Sequence, residues 1–174
     1  MKIRNFIMFI LVVLASNSNA QRIKAFVTAV HDGDSYKVRF TDNTTQWVRI
    51  WGCDAPEVIS NHVSKHQPYG IQAGQNIRSL IKNDTIYLDT LYRDQYNRLV
   101  TKIYLKDSTD LTEYIVSTGN GWWLDDKKMP EKYLLHLKQL QSQARDSQIG
   151  FWSLSGVKNR PSYWRNKYRR VTKN

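Results

Sequence analysis

Asp34, Arg49, Asp54 and Glu57 are the residues whose types and spacing could do chemistry. A hairpin turning at Asn43 places Asp34 across from Gly52 and next to Asp54, so two carboxylates meet at its open end. Arg49 points to the face opposite Val48 and Ile50 and reaches the same cleft, together with Trp47 and Trp51. Glu57 follows Asp54 by three positions. Two neighbouring carboxylates repel each other unless a cation or a proton sits between them. His31, His62, His66 and His136 form no pair at ligand spacing and Cys53 is the single cysteine, so an all-oxygen site for a hard cation is the chemistry implied.

Each segment also has a structural alternative. Asp32-Gly33-Asp34 is a plausible hairpin turn, and Asp54-Ala55-Pro56-Glu57 has the pattern of a helix capping box with proline in the first turn. Asp94 to Asn97 makes an ordinary turn with Arg98 solvated behind it. The alternatives weaken where the segments converge, because turns and caps have no need of an arginine among tryptophans. His31 could tune the site electrostatically, and Cys53, at a strand end, suits a small buried apolar position.

The elements that must position these groups follow from periodicity. Ile23, Ala25, Val27 and Ala29 alternate with Lys24, Phe26, Thr28 and Val30; Tyr36, Val38 and Phe40 alternate with Lys37 and Arg39; Trp47 to Trp51 completes a three-stranded meander. Residues 69–83 change to a helical period, with Ile71, Gly74, Ile77, Leu80 and Ile81 on one face. Strands Thr85 to Tyr92 and Leu99 to Leu105 follow. Asp110 caps a short helix to Thr118, with Glu113 at the capping-box spacing and Gly119 ending it. Pro130 opens a longer helix carrying Tyr133, Leu137, Leu140 and Ala144, closed by Gly150. Five short strands interrupted by a helix predict an α+β fold: a five-stranded OB-like β-barrel with three α-helices.

Composition bounds the setting. The 174 residues hold 26 Lys and Arg against 15 Asp and Glu, with 41% apolar residues, which excludes a disordered or collagenous chain. One cysteine excludes an internal disulfide and thiolate zinc sites. Lys2 and Arg4, the apolar run Phe6 to Ala15 and the small residues at Ser18 and Ala20 read as a secretory signal peptide over 1–20, too short to span a bilayer. The expected product starts at Gln21, is secreted or periplasmic, and has no stable membrane insertion after cleavage. An extracellular site tolerates weak binding and irregular geometry, which favours Ca²⁺ over Mg²⁺, with waters and a main-chain carbonyl completing the shell. Without residues 1–20 the charge is +9, yet residues 21–155 carry only +2. The remainder lies in residues 156–174, where Lys158, Arg160, Arg165, Lys167, Arg169, Arg170 and Lys173 are interleaved with Tyr163, Trp164 and Tyr168 and no acid occurs. Such a tail suits phosphate contacts and base stacking, or serves as a solubilising terminus.

Five segments in this order carry a resemblance to a known family: Val30-His31-Asp32-Gly33-Asp34-Ser35, Val48-Arg49-Ile50-Trp51-Gly52-Cys53-Asp54-Ala55-Pro56-Glu57, Tyr69-Gly70, Asp94-Gln95-Tyr96-Asn97-Arg98 and Ile149-Gly150-Phe151-Trp152-Ser153. Residues 22–155 resemble the thermonuclease, or staphylococcal-nuclease-like, family of secreted nucleases. The resemblance implies that Asp34 and Asp54 are metal-binding carboxylates and that the Ala55 carbonyl is a third Ca²⁺ ligand. It further implies that Glu57 holds or activates the attacking water, and that Arg49 and Arg98 grip the scissile phosphate. Similar enzymes hydrolyse DNA and RNA at the bond to the 5′ oxygen and leave 3′-phosphate ends.

Ala55 stands where the family usually has threonine, Asn97 where it has glycine, and Gln95 where some members have lysine. No tyrosine occupies the base-stacking region after Gly119; Trp122 and Trp123 lie there, available for stacking or for the core. The physical logic agrees with the resemblance. A phosphodiester transition state carries more negative charge than the ground state, so a divalent cation and two guanidiniums stabilise it preferentially. The sequence therefore predicts a monomeric, Ca²⁺-dependent, sugar-nonspecific nuclease with DNA and RNA as partners. The alternatives are a catalytically inactive OB-type nucleic-acid-binding module and an exported domain whose basic tail binds an anionic surface.

Overall fold

The computed structural model describes residues 22–59, 63–156 and 158–169. Residues 1–20, expected from the sequence to be a signal peptide, His62 and the last five residues lie outside the described residues. Strands β1 (Ile23–Val30), β2 (Ser35–Phe40), β3 (Thr45–Ile50), β5 (Thr85–Arg93) and β6 (Leu99–Tyr104) close a barrel in the order β1-β2-β3-β6-β5. Its pairings are antiparallel except for β3 with β6, which run parallel. The five-stranded barrel expected from the sequence is present.

Alternation fills the barrel with Val27, Tyr36, Val38, Val48, Ile50, Ile86, Leu88 and Ile103, all essentially inaccessible. In β1 the strict alternation predicted from the sequence breaks. A bulge between Val27 and Ala29 shifts the phase, so Val30 is buried; Ile23, ahead of the bulge at the strand start, is exposed. The β2–β3 register also differs from that expected. Ser35 pairs with Arg49 and Tyr36 with Val48, so Asp34 faces Ile50, whose amide donates to the Asp34 carbonyl at 3.0 Å, and not Gly52. Asn43 is left-handed at φ 65° and closes a three-residue loop of Thr41, Asp42 and Asn43, which moves the centre of the turn to Asp42.

Helix α1 (Gly70–Ile81) lies against the barrel through Ala73, Gly74, Ile77 and Ile81. Ile71, expected on that face, is exposed. Asp110 caps α2 (Leu111–Ser117) by accepting from Thr112 N and Glu113 N. Helix α3 (Glu131–Asp146) begins after Pro130 and buries Leu137 and Ala144. It stops at Asp146, ahead of Gly150, because Ser147 to Ile149 turn back along the helix, with Gln148 at φ 51°.

A two-residue ladder, β4 (Cys53–Asp54) with β7 (Trp122–Trp123), and a fourth helix, α4 (Pro161–Arg169), complete the fold. The sequence expectation was three helices, with 156–174 a tail; Pro161 at the first helical position starts the additional one. Trp122 packs on Phe151 and Trp152, with ring centroids 4.2 and 5.1 Å away, so it belongs to the core. Cys53 is fully buried, as expected.

Candidate active site

The site forms where β2, β3 and β4 meet at one end of the barrel. The Asp32–Asp34 turn is tied from below by Tyr36, whose buried hydroxyl donates to the Gly33 carbonyl at 2.6 Å. Gly52, at φ 85° and enclosed by Met129, Thr112 and Leu137, reverses the chain after β3. A side chain there would be strained and crowded. That reversal returns Asp54 to the neighbourhood of Asp34, so the two carboxylates meet although the register expected to bring them together was shifted.

Asp34 and Asp54 are both buried and share one guanidinium: Arg49 Nη1 donates to Asp34 Oδ1 at 2.9 Å and Nη2 to Asp54 Oδ1 at 2.7 Å. Asp34 also accepts from Ala55 N at 3.0 Å and from the Ser35 hydroxyl at 2.8 Å. Ser35 accepts in turn from Arg98 Nη1 at 3.0 Å, and Arg98 Nε is held by Asp94 Oδ2 at 2.8 Å. Glu57 is fixed through its backbone. Its N–H donates to Gln67 Oε1 at 3.1 Å and its carbonyl accepts from Gln67 N at 2.9 Å. A guanidinium from α4, that of Arg165, reaches both Asp54 and Glu57.

The structure thus places Arg49, Glu57 and Arg98 on the wall of one cleft of about 700 Å³, with Asp34, Asp54 and Ala55 buried directly behind them. Arg98 is partly buried and ion-paired, not solvated behind its turn. Trp51 is buried and stacks on Tyr133 with centroids 5.7 Å apart, whereas Trp47 is exposed and stands edge-on to His31. His31 Nε2 lies 4.0 Å from Asp32 Oδ2. Ser35, Gln67 and Arg165 are the members that the sequence did not reveal. Ser35 follows the Asp-Gly-Asp run directly, which is a usable signal, but neither Gln67 nor Arg165 stands in a motif.

Electrostatics follow from burial against pairing. Burial pushes the Asp34 carboxyl up, but Arg49 and then the Ala55 N–H outweigh it and hold the group below its usual value. Asp32 has no such arginine contact, and burial followed by the charge of Asp34 holds it well above the usual carboxylate range. Burial drives Glu57 up to about 7 against the pull of Arg165. The Arg49 guanidinium is held firmly protonated, first by Asp34.

Residues 47–154 match the family model of the staphylococcal nuclease homologue. The chain belongs to that family. Among similar proteins, one of Escherichia coli O157:H7 named an uncharacterized endonuclease is 26% identical over 150 residues, 86% of this chain and 90% of that protein. A probable endonuclease LCL3 of Komagataella phaffii is 30% identical over 128 residues, 68% of this chain and 54% of that protein. An endonuclease Htp3 of Saprolegnia parasitica is 24% identical over 142 residues, 71% of this chain and 59% of that protein. As a staphylococcal nuclease homologue on a closed OB-like barrel, the chain is a nuclease, and its substrate is nucleic acid. Within this nuclease the donor set suits a hard cation: two buried carboxylates, balanced only by arginines, with no thiolate or imidazole bonded to them. Among the described residues no three His, Cys, Asp or Glu side chains converge as a cluster, so an ion at Asp34 and Asp54 needs main-chain and water oxygens as well.

Proposed function

We propose that the chain is a Ca²⁺-dependent, sugar-nonspecific endonuclease, exported through its N-terminal signal and acting as a monomer on DNA and RNA to leave 3′-phosphate ends. The observation that carries this reading is the unbroken hydrogen-bonded line Arg98–Ser35–Asp34–Arg49–Asp54, whose two arginines open with Glu57 onto one cleft. Asp34, Asp54 and the Ala55 carbonyl would hold the ion, which when bound supplies positive charge to a phosphate oxygen.

The protein's own groups do the rest. Arg49 and Arg98 present planar forks that bond two phosphate oxygens at once, a geometry lysine cannot reproduce. Their preorganisation by Asp34, Asp54, Asp94 and Ser35 spares the transition state the cost of ordering them. Glu57 orients the attacking water and takes its proton; a carboxyl at about 7 is matched to that task near neutral pH. The partly buried cleft strengthens each of these interactions.

The test is digestion of single-stranded DNA and of RNA by the chain from Gln21, with Ca²⁺ and with chelator, followed by end-group analysis of the fragments. Cleavage of both polymers with Ca²⁺, none with chelator, and 3′-phosphate ends are expected. Tight binding without cleavage at any Ca²⁺ concentration would replace this reading with that of an inactive binding module.

A further inference from the structure

Arg165 reaches the site from far along the chain and takes both oxygens of one proposed metal ligand. Its Nη1 donates to Asp54 Oδ1 and its Nη2 to Asp54 Oδ2, each at 2.9 Å, and Nη1 also meets Glu57 Oε1. Arg49 already occupies Asp54 Oδ1, so every oxygen of that carboxylate carries a guanidinium hydrogen bond. The contact is built and not a stray surface charge. On α4, Trp164 Nε1 donates to the Lys65 carbonyl at 2.7 Å. Just before α4, the Asn159 carbonyl accepts from Nε2 of Gln67 at 2.8 Å, the same buried glutamine that fixes the Glu57 backbone.

We propose that α4 is a built-in plug, with Arg165 filling the Asp54–Glu57 position in the cation-free protein and leaving it when a divalent cation binds. The inference rests on the reading of Asp34 and Asp54 as metal ligands. A bidentate guanidinium and a calcium ion compete for the same lone pairs, and a dication a few ångströms from Arg165 repels it. Tethering gives the plug a high effective concentration, so the cation binds more weakly than it would to the open site. Release of α4 takes Arg165 out of the cleft wall and frees Trp164 from the Lys65 carbonyl, and aromatic faces of this kind stack on bases. Cation loading and opening of the cleft to a polynucleotide then become one event.

The experiment compares the chain from Gln21 with Arg165→Gln and Trp164→Ala by calorimetric titration with Ca²⁺ alone, and follows amide exchange of residues 161–169 with and without Ca²⁺. Trp164→Ala undocks the helix without touching the carboxylates, and Lys167→Gln removes one exposed charge from α4 as the control for general electrostatics. Arg165→Gln should bind Ca²⁺ more tightly by roughly tenfold, the scale of a charge-assisted hydrogen-bond pair. Trp164→Ala should move in the same direction, and Lys167→Gln should stay within about twofold of the wild type, as a screened surface charge does. Wild-type α4 amides should be protected in chelator and exchange quickly in Ca²⁺. Equal Ca²⁺ affinity in all four proteins, with α4 protected throughout, overturns the plug and leaves the metal reading standing. A Lys167→Gln gain equal to that of Arg165→Gln also overturns it. No Ca²⁺ binding by any of the four overturns the metal reading itself, and the exchange between cation and helix falls with it.

Discussion

Arg49→Ala in the absence of metal isolates the role of the guanidinium shared by Asp34 and Asp54. Arg49 makes charge-assisted hydrogen bonds of 2.9 and 2.7 Å to two buried carboxylates. After its removal Asp54 keeps the fork of Arg165, whereas Asp34 keeps only the neutral donors Ala55 N and Ser35 Oγ. One carboxylate and not two is therefore left without a cation, which puts the cost near the lower end of the range for a broken buried pair, about 3 kcal/mol. For a domain of this size that is a fall in melting temperature of roughly 10 °C. Thermal unfolding followed by circular dichroism in chelator measures it, in the wild type and in an Asp34→Asn background. In that background no buried charge is orphaned, and the same change should cost about 1 kcal/mol, the value of an ordinary hydrogen bond. Saturating Ca²⁺ should restore much of the loss in the single variant, since a ligand of the folded state stabilises it. An Arg49→Ala melting temperature within about 2 °C of wild type in chelator, or an equal loss in both backgrounds, would refute the view that this arginine balances the aspartate pair.

Arg98→Ala should lower kcat by about 10²-fold or more while leaving the melting temperature nearly unchanged, because its ion pair with Asp94 is partly exposed; steady-state kinetics beside thermal melts check both. Glu57 has a folded value of about 7 against 4.5 for the free side chain, so the unfolded chain gives up this proton first. Its contribution to stability is then fully present below pH about 4.5, is lost as pH rises to about 7, and amounts to about 2–3 kcal/mol. Denaturant titrations of the metal-free protein across that window should show a shallower slope in Glu57→Gln than in the wild type, the buried Asp32 carboxyl retaining a slope of its own. Gly119 sits at φ 66°, and a Cβ there would fall 2.3 Å from the Ile149 carbonyl oxygen, so Gly119→Ala should destabilise by at least about 2 kcal/mol in the same denaturant assay.

Local signals in the chain account for most of the fold. The alternation of Tyr36, Val38 and Phe40, the helical spacing that ends in Ile77 and Ile81, the Asp110 cap and Pro130 all act over a few residues, and each element they specify is present. What could not be read depends on distant partners or on small phase shifts. The β1 bulge moves burial from Ala29 to Val30, and the three-residue loop closed by left-handed Asn43 moves the partner of Asp34 from Gly52 to Ile50. The β4–β7 ladder joins two residue pairs almost seventy positions apart. At the site, Asp34, Arg49 and Asp54 were legible because one hairpin carries them. Glu57 was legible from its spacing to Asp54, while its role and that of Arg98 entered through motif resemblance. Gln67 and Arg165 were invisible because their partners lie far away in the chain and no local pattern requires them. Of the two places open to Trp122, base stacking or the core, the structure gives it the second, in the cluster with Phe151 and Trp152.

The parallel seam between β3 and β6 sets Arg49 beside Val100 and Val48 beside Leu99, immediately next to Arg98. Those strands are separated by β4, α1 and β5, so the seam is a non-local pairing that closes over about fifty residues. Asp34 and Arg49 are brought together by the β2–β3 hairpin, whereas Arg98 is brought beside them by this seam. Under the proposed phosphate grip, a chain that has not closed this seam presents one of its two arginines and is expected not to cleave.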